Sequence, residues 1–327
     1  MHAGRQYSLK EVILWTRRET VVFVILSTIP TALYAFAGWK WVAMPWLPVA
    51  MVGTVVAFIT GFKNSASYSR LWEARQAWGS IINDSRTWAM MVMAYIPNQD
   101  ARRRLFYRHL AWLTALRFQL REPRSWENMQ LAHNTEYRRN YTIAEWKSRL
   151  EQELPALLDA GEVQHVLSRK NRAFHLLELQ SQDLRKAVEN TSNGDFKVIE
   201  CLHAHAALVD AQGKCERIKN FPYPRQYATL NHFFIWMFIV FEPFGLIQEF
   251  EKLGPQFVWL TIPAATLVAW VFHTMDKIGE STENPFEGGP NDVPITALSR
   301  TIEIDLRELL GETELPPALQ PVNNILM

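Results

Sequence analysis

The stretch AMPWLPVAMVGTVVAFITGF, Ala43 to Phe62, decides the fold class, because it holds no Asp, Glu, Lys or Arg. Twenty helical residues rise about 30 Å, the thickness of a bilayer's hydrocarbon core. Three other stretches share this character. Thr20 to Ala37 and Gln256 to Phe272 are uncharged, and Ala228 to Ile247 carries only Glu242. The chain averages out as a soluble protein, with 20% charged residues. That average hides the clustering of its apolar residues. Thirteen Trp point the same way, since Trp favours the headgroup level where one end of the indole is wet. Buried helices of a large soluble protein are the competing reading, and four such runs disfavour it. Pro45, Pro48 and Pro243 predict bent or broken helices within the second and third spans.

Working outward, Arg17 and Arg18 precede the first span, Lys63, Arg70 and Arg75 follow the second, and Lys277 follows the fourth. The loop between the first two spans has only Lys40, and that between the last two has Glu249, Glu251 and Lys252. Positive residues stay inside, which predicts cytoplasmic termini and a cytoplasmic middle segment. Trp39, Trp41 and Trp46 then mark the outer interface and Trp15 the inner one. Arg17-Arg18 before an apolar run has the look of a twin-arginine secretory signal. The length of the run and the closeness of the next span favour a retained helix.

Residues 63–227 are Arg-rich, and Gly79, Gly161, Gly194 and Gly213 are their only glycines. Apolar residues recur at helical spacing, as in Ile199, Leu202, Ala206 and Val209, with breaks expected at Pro155 and over Asn190–Gly194. This region holds 25 Lys and Arg against 18 Asp and Glu, a net of +7, whereas residues 276–327 hold 3 against 10, a net of −7. The acidic tail is expected to dock on the basic domain or on a neighbouring subunit; two separately solvated surfaces fit the charges equally well. Four parts follow: residues 1–78, an N-terminal helix and first hairpin; 79–227, a cytoplasmic helical domain; 228–275, the second hairpin; and 276–327, the tail. The fold class is an all-α membrane protein with four transmembrane helices in two hairpins.

No P-loop, GxGxxG, HExxH or GxSxG pattern occurs, so no enzyme and no cofactor is expected. Cys201 and His205 share a helix face, a weak metal pair without further ligands; no metal site and no nucleic-acid partner is expected. Arg102-Arg103-Arg104 with Arg108 could hold anionic headgroups, although a solvated face is commoner. Glu242 is the one Asp, Glu, Lys or Arg inside a span, a functional candidate or a structural group beside Pro243.

The run Gly61-Phe62-Lys63-Asn64-Ser65-Ala66-Ser67-Tyr68-Ser69-Arg70-Leu71-Trp72-Glu73-Ala74-Arg75-Gln76-Ala77-Trp78-Gly79 resembles the bestrophin signature that closes the second span. A second run, Asn284-Pro285-Phe286, then Asn291-Asp292-Val293-Pro294-Ile295 and Thr301 to Leu309, resembles the segment after the fourth span in the bacterial branch. Residues near 122–150 look like extra length. The resemblance implies a homopentamer in a bacterial inner membrane, in contact with lipid, passing small monovalent ions. It implies a neck at Thr54, Phe58 and Phe62, which at i, i+4 and i+8 share one helix face. Family members more often carry a large apolar group at the first of these, so Thr54 wets the outer end. A cytoplasmic constriction maps to Ile199. Arg70, Glu73 and Arg75 are expected to pair with neighbouring segments and fix the helix exit. Eukaryotic members follow the Asn-Pro-Phe turn with a calcium-binding acidic run. Glu287 and Asp292 alone are a thin set for calcium, so calcium-independent opening is expected. Anions are favoured slightly over sodium and potassium. A membrane-anchored scaffold or sensor without conductance is the reading from another class.

Overall fold

A computed structural model describes residues 1–189 and 191–327, with backbone only at His133. Eleven α-helices are present among the described residues: α1 Leu9–Phe36, α2 Trp46–Tyr95, α3 Gln99–Arg121, α4 Ala132–Tyr137, α5 Leu150–Glu153, α6 Ala160–Leu167, α7 Arg172–Val188, α8 Gly194–Asn220, α9 Arg225–Glu251, α10 Thr261–Glu283 and α11 Ile295–Leu309. There is no strand among them. The break expected over Asn190–Gly194 lies between α7 and α8. Asn190 itself is outside the described residues.

Two compact units form. The first, Gly4–Ser69 with Pro222–Glu283, contains α1, the first part of α2, α9 and α10. These helices hold the four segments long and apolar enough to cross a bilayer. Ser8 caps α1 and Glu11 completes a capping box, so the helix starts eleven residues before its apolar run. α2 is unbroken, because Pro45 precedes it and Pro48 sits in its first turn, where no N–H is missed. α9 also runs through Pro243 without interruption, correcting the expectation of broken spans. The seam of this unit is Phe23, Val49, Val56, Ile235, Phe238, Ile239 and Ala269. Many large apolar side chains outside the seam are exposed, including Val21, Ile25, Phe233 and Leu267. That distribution suits hydrocarbon as solvent.

The second unit, Met1–Ala3 with Arg70–Phe221 and Asn284–Met327, buries Trp78, Trp88, Phe106, Trp112, Phe286, Ile302 and Leu306. Three Trp therefore serve a helical core rather than a headgroup layer. Trp88 stacks on the His109 ring at 4.6 Å, and Trp112 donates to Gln212 Oε1 at 2.8 Å. Burial pushes the His109 imidazole down to about 3, so it is neutral and shares a proton with Ser85 Oγ at 2.9 Å. α11 packs here too: Asp305 accepts from Arg86 at 2.8 Å, and Thr296 donates to Glu145 at 2.8 Å.

Candidate ion pathway

α2 buries a narrow stripe: Val49, Val56, Thr60 and Lys63. Gly53 belongs to it, because a Cβ there would come within 2.6 Å of the Phe238 ring. On the other side Thr54 is exposed, and Phe58 and Phe62 are exposed by 66% and 60%. The two phenyl rings meet edge to face, with centroids 4.6 Å apart at 90°. Thr54 Oγ1 donates to the Ala50 carbonyl at 2.9 Å. The three residues assigned to the neck therefore share one exposed face of α2.

Lys63 ends this stretch, and its charge points into the bundle. Lys63 Nζ lies 2.7 Å from Asp276 Oδ1 on α10, and both side chains are about 3% exposed. Asn231 Nδ2 donates to the same oxygen at 2.8 Å, while Asn231 Oδ1 accepts from Thr60 at 3.0 Å. His232 Nδ1 stands 3.5 Å from Asp276 Oδ2. A buried pair with its remaining lone pairs satisfied is costly to break, so this network fixes α2 against α9 and α10. Asn64 adds a bond to the Met275 carbonyl at 3.0 Å. Lys277 pairs with Glu19 at 2.8 Å and Arg225 with Glu283 at 2.8 Å.

The other signature residues lie in the second unit. Arg70 donates to the Ile218 carbonyl at 3.0 Å, satisfying an orphan acceptor in the last turn of α8. Glu73 pairs with Arg217 on that turn. Arg75 and Trp72 are exposed, Trp78 is fully buried, and Gly79 has open space around it. Ile199 is 49% exposed on α8, in a stripe with Phe196, Leu202, Ala206 and Val209. The opposite face, Cys201, Ala204, Leu208, Ala211 and Cys215, faces the core. The helical period was legible; which face is buried was not.

Around the second motif, Phe286 fills the core and the Pro285 carbonyl accepts from Val293 N–H at 3.2 Å. Asp292 accepts from Gly288 N–H at 2.7 Å and from Arg121 at 3.2 Å. Glu287 accepts from Asn128 N–H at 2.8 Å and from Asn284 Nδ2 at 3.3 Å. Asn291 is half-buried in the turn before Asp292. Burial pushes Asp292 up to about 6, against the pull of Arg121. Burial and the neighbouring Asp292 hold Glu287 well above the usual carboxylate range.

Over residues 8–308 the sequence matches the family described as Bacterial/Fungal Bestrophin protein. The chain belongs to this bestrophin family. It is 26% identical over 274 residues to the voltage-dependent anion channel-forming protein YneE of Escherichia coli, covering 84% of this chain and 80% of that one. It is 28% identical over 274 residues to a voltage-dependent anion channel-forming protein of Ralstonia nicotianae, with 82% and 78% covered. A bacterial bestrophin homologue from Klebsiella pneumoniae shares the fold, with a TM-score of 0.77 at 24% identity over 91% of this chain and 99% of that one.

Three candidates from the sequence take a different place in this bestrophin. Arg108 pairs with Glu162 and Asp183, Arg104 with Asp183 at 2.9 Å, and Arg103 with Glu312 at 3.7 Å. Arg102 donates to the Ile96 and Met93 carbonyls, closing the end of α2. That arginine cluster braces the second unit rather than offering a headgroup site. His205 Nδ1 lies 3.1 Å from the Cys201 carbonyl, and burial raises the Cys201 thiol to about 11, so the pair presents no thiolate to a metal. Glu242 is fully buried in α9, and its carboxyl oxygens have no hydrogen-bond partner among the described residues. Asp276, which pairs with Lys63, and Asn231 and Thr60, which complete its network, were passed over in the sequence reading. Their one sequence signal is polarity at the edge of an apolar run.

Proposed function

We propose that this chain is one subunit of a pentameric channel that passes small monovalent anions passively across a bacterial inner membrane. α2 lines the pore, Thr54, Phe58 and Phe62 form the neck, and Ile199 forms a cytoplasmic constriction. Both termini and the middle segment are cytoplasmic. The observation that carries the reading is the exposed face of α2 that holds Thr54, Phe58 and Phe62. Five copies of an apolar ring make a narrow bore that stops ions by dewetting. The Lys63 charge is neutralised inside the bundle, so no charged plug stands on that helix beside the neck. The exposed apolar stripe of α8 supports assembly with further copies of the chain, since a stripe of that kind marks an association surface. The names of the Escherichia coli and Ralstonia relatives favour anions.

Purified protein reconstituted in a planar bilayer tests the proposal. Unitary currents are expected, and a silent bilayer with correctly assembled protein leaves a membrane-anchored scaffold. Impermeant labelling of a single cysteine at position 130 tests the sidedness. Protection in whole cells is expected, and labelling without lysis would invert the topology.

A further inference from the structure

A pocket of about 530 Å³ opens within the second unit, lined by the end of α3, the segment leading into α5 and the turn from α6 to α7. Ala115, Phe118 and Leu150 supply its apolar lining. Eight charged residues line it as well, and five of them are matched. Arg121 pairs with Asp292 at 3.2 Å, Glu122 with Arg124 at 2.8 Å, Glu145 with Arg117, and Glu151 with Arg172 at 3.7 Å. The other three, Arg149, Arg169 and Lys170, are exposed, and their side chains have no ion pair or hydrogen bond among the described residues. Their backbones are nonetheless held. Arg149 N–H donates to Gln152 Oε1 at 3.0 Å and Arg169 N–H to the Val166 carbonyl at 3.0 Å. Asn171, next to Lys170, accepts from Phe174 N–H at 3.0 Å and donates to Glu216 at 3.0 Å. Helix electrostatics does not account for this charge, because acids stabilise the start of a helix and cations its end. Only Arg169 follows a helix end, that of α6. Lys170 and Arg172 stand at the start of α7, whose first turn has no acid, and Arg149 directly precedes α5.

We infer that this pocket binds a small diphosphate, inorganic or esterified, whose charge is met by Arg149, Arg169 and Lys170. A phosphoryl group carries roughly 1.5–2 negative charges near neutral pH, so two of them match three cations. Guanidinium groups take phosphoryl oxygens in paired hydrogen bonds, and lysine adds a point charge. Chloride offers one charge and cannot span three side chains. The volume lies within the roughly 300–1,000 Å³ range of small-molecule sites, which leaves room beside Phe118 and Leu150 for an organic group. Held backbones lower the cost of ordering the three side chains around a ligand. The inference does not depend on the channel reading, because every residue in it belongs to the second unit.

Isothermal titration calorimetry of the full-length protein in detergent tests this, with pyrophosphate, uridine diphosphate and citrate as titrants in a chloride buffer. Pyrophosphate and uridine diphosphate are expected to bind at one site per subunit, and tighter binding of the second assigns the esterified form. Arg149→Gln, Arg169→Gln and Lys170→Gln are each expected to weaken that binding by about tenfold, the scale of one charge-assisted hydrogen bond. Lys147→Gln removes an exposed cation of the same segment that does not line the pocket, and is expected to leave binding unchanged. Without ligand, the unfolding temperatures of Arg169→Gln and Lys170→Gln are expected to match or exceed the parent's, because neither side chain has a partner to lose. No saturable binding, citrate held as tightly as pyrophosphate, or an equal loss in Lys147→Gln overturns the site; the last result means a diffuse basic surface. A lower unfolding temperature in Lys170→Gln also overturns it, since the charge would then serve the fold.

Discussion

Phe58 and Phe62 touch each other edge to face, and both are largely exposed. If they form the barrier, Phe58→Ala or Phe62→Ala widens the bore, lowers the dewetting barrier and raises unitary conductance. Variants that assemble and conduct like the parent would show that the barrier lies elsewhere. Spacing puts Phe58 and Phe62 on one helix face, whereas their place in a neck was read only from the family resemblance. The fate of the next residue was not legible. Lys63 and Asp276 are 213 positions apart, and no local pattern announces such a pair. Tryptophan misled in the opposite sense: Trp78, Trp88 and Trp112 are core residues, and only packing distinguishes them from interfacial ones. A second residue-scale outcome concerns Glu287, which is buried beside Asp292 and held well above the usual carboxylate range. The folded chain keeps a proton there that the unfolded chain releases. Its contribution to stability is complete below the ordinary carboxylate pKa of about 4.3 and is lost as pH rises through the higher folded value. Thermal unfolding at pH 5.5 and 8.5 is therefore expected to show a steeper loss with rising pH in the parent than in Glu287→Gln. Equal slopes would mean that Glu287 titrates as an exposed acid.

The spans were legible at the scale of elements because charge vanishes from them. Their ends were not, because a helix stops where its hydrogen bonding stops. α2 continues past Phe62 to Tyr95, where Pro97 prevents further turns. α9 begins at Arg225, directly after Pro224. Helix contacts inside the first unit also depend on a residue that carries no pattern. A Cβ on Gly279 of α10 would stand 2.3 Å from Asn64 Oδ1 of α2, and Asn64 is itself held by its bond to Met275. Two effects oppose each other in Gly279→Ala. Helix propensity gains about 1 kcal/mol, and overpacking costs about 1–3 kcal/mol. The clash is expected to win, lowering the unfolding temperature. In an Asn64→Ala background the same substitution is expected to be neutral or stabilising, because the obstructing amide is gone. Destabilisation of equal size in both backgrounds would place the cost of Gly279→Ala somewhere other than this contact.

For the whole molecule, the open questions are what opens the pore and which ions pass. Calcium needs about six or more oxygens, usually including several carboxylates. Asp292 is engaged by Arg121 and by the Gly288 N–H, and Glu287 by the Asn128 N–H. Opening is therefore expected to persist on calcium chelation, and a reversible loss of current would show that this acidic pair recruits the ion after all. The sign of the permeant ion follows from what the neck does not carry. No charged residue lies between Ala43 and Phe62. The Lys63 charge is spent on Asp276, so it cannot act as a free cation ring at the end of the neck. What remains is soft. Phenyl edges attract anions and phenyl faces attract cations. In the edge-to-face pair of Phe58 and Phe62, one ring can present its edge to the bore while the other presents its face. The net +7 of residues 63–227 favours anions over the length of an approach, and the −7 of residues 276–327 opposes it. Several of those acids are already bound to arginines, as Asp292 is to Arg121, Asp305 to Arg86 and Glu312 to Arg307. Each such pair removes one charge of each sign, so the two segments balance overall, and an anion preference by a small margin depends on the basic segment lying nearer the approach to the pore. Under a KCl gradient the reversal potential is expected nearer the chloride than the potassium equilibrium value, with modest discrimination that weakens as ionic strength rises and screens the surface charge. A reversal near the potassium value would mean that the phenyl faces dominate, and would leave the channel assignment standing with its ion inverted.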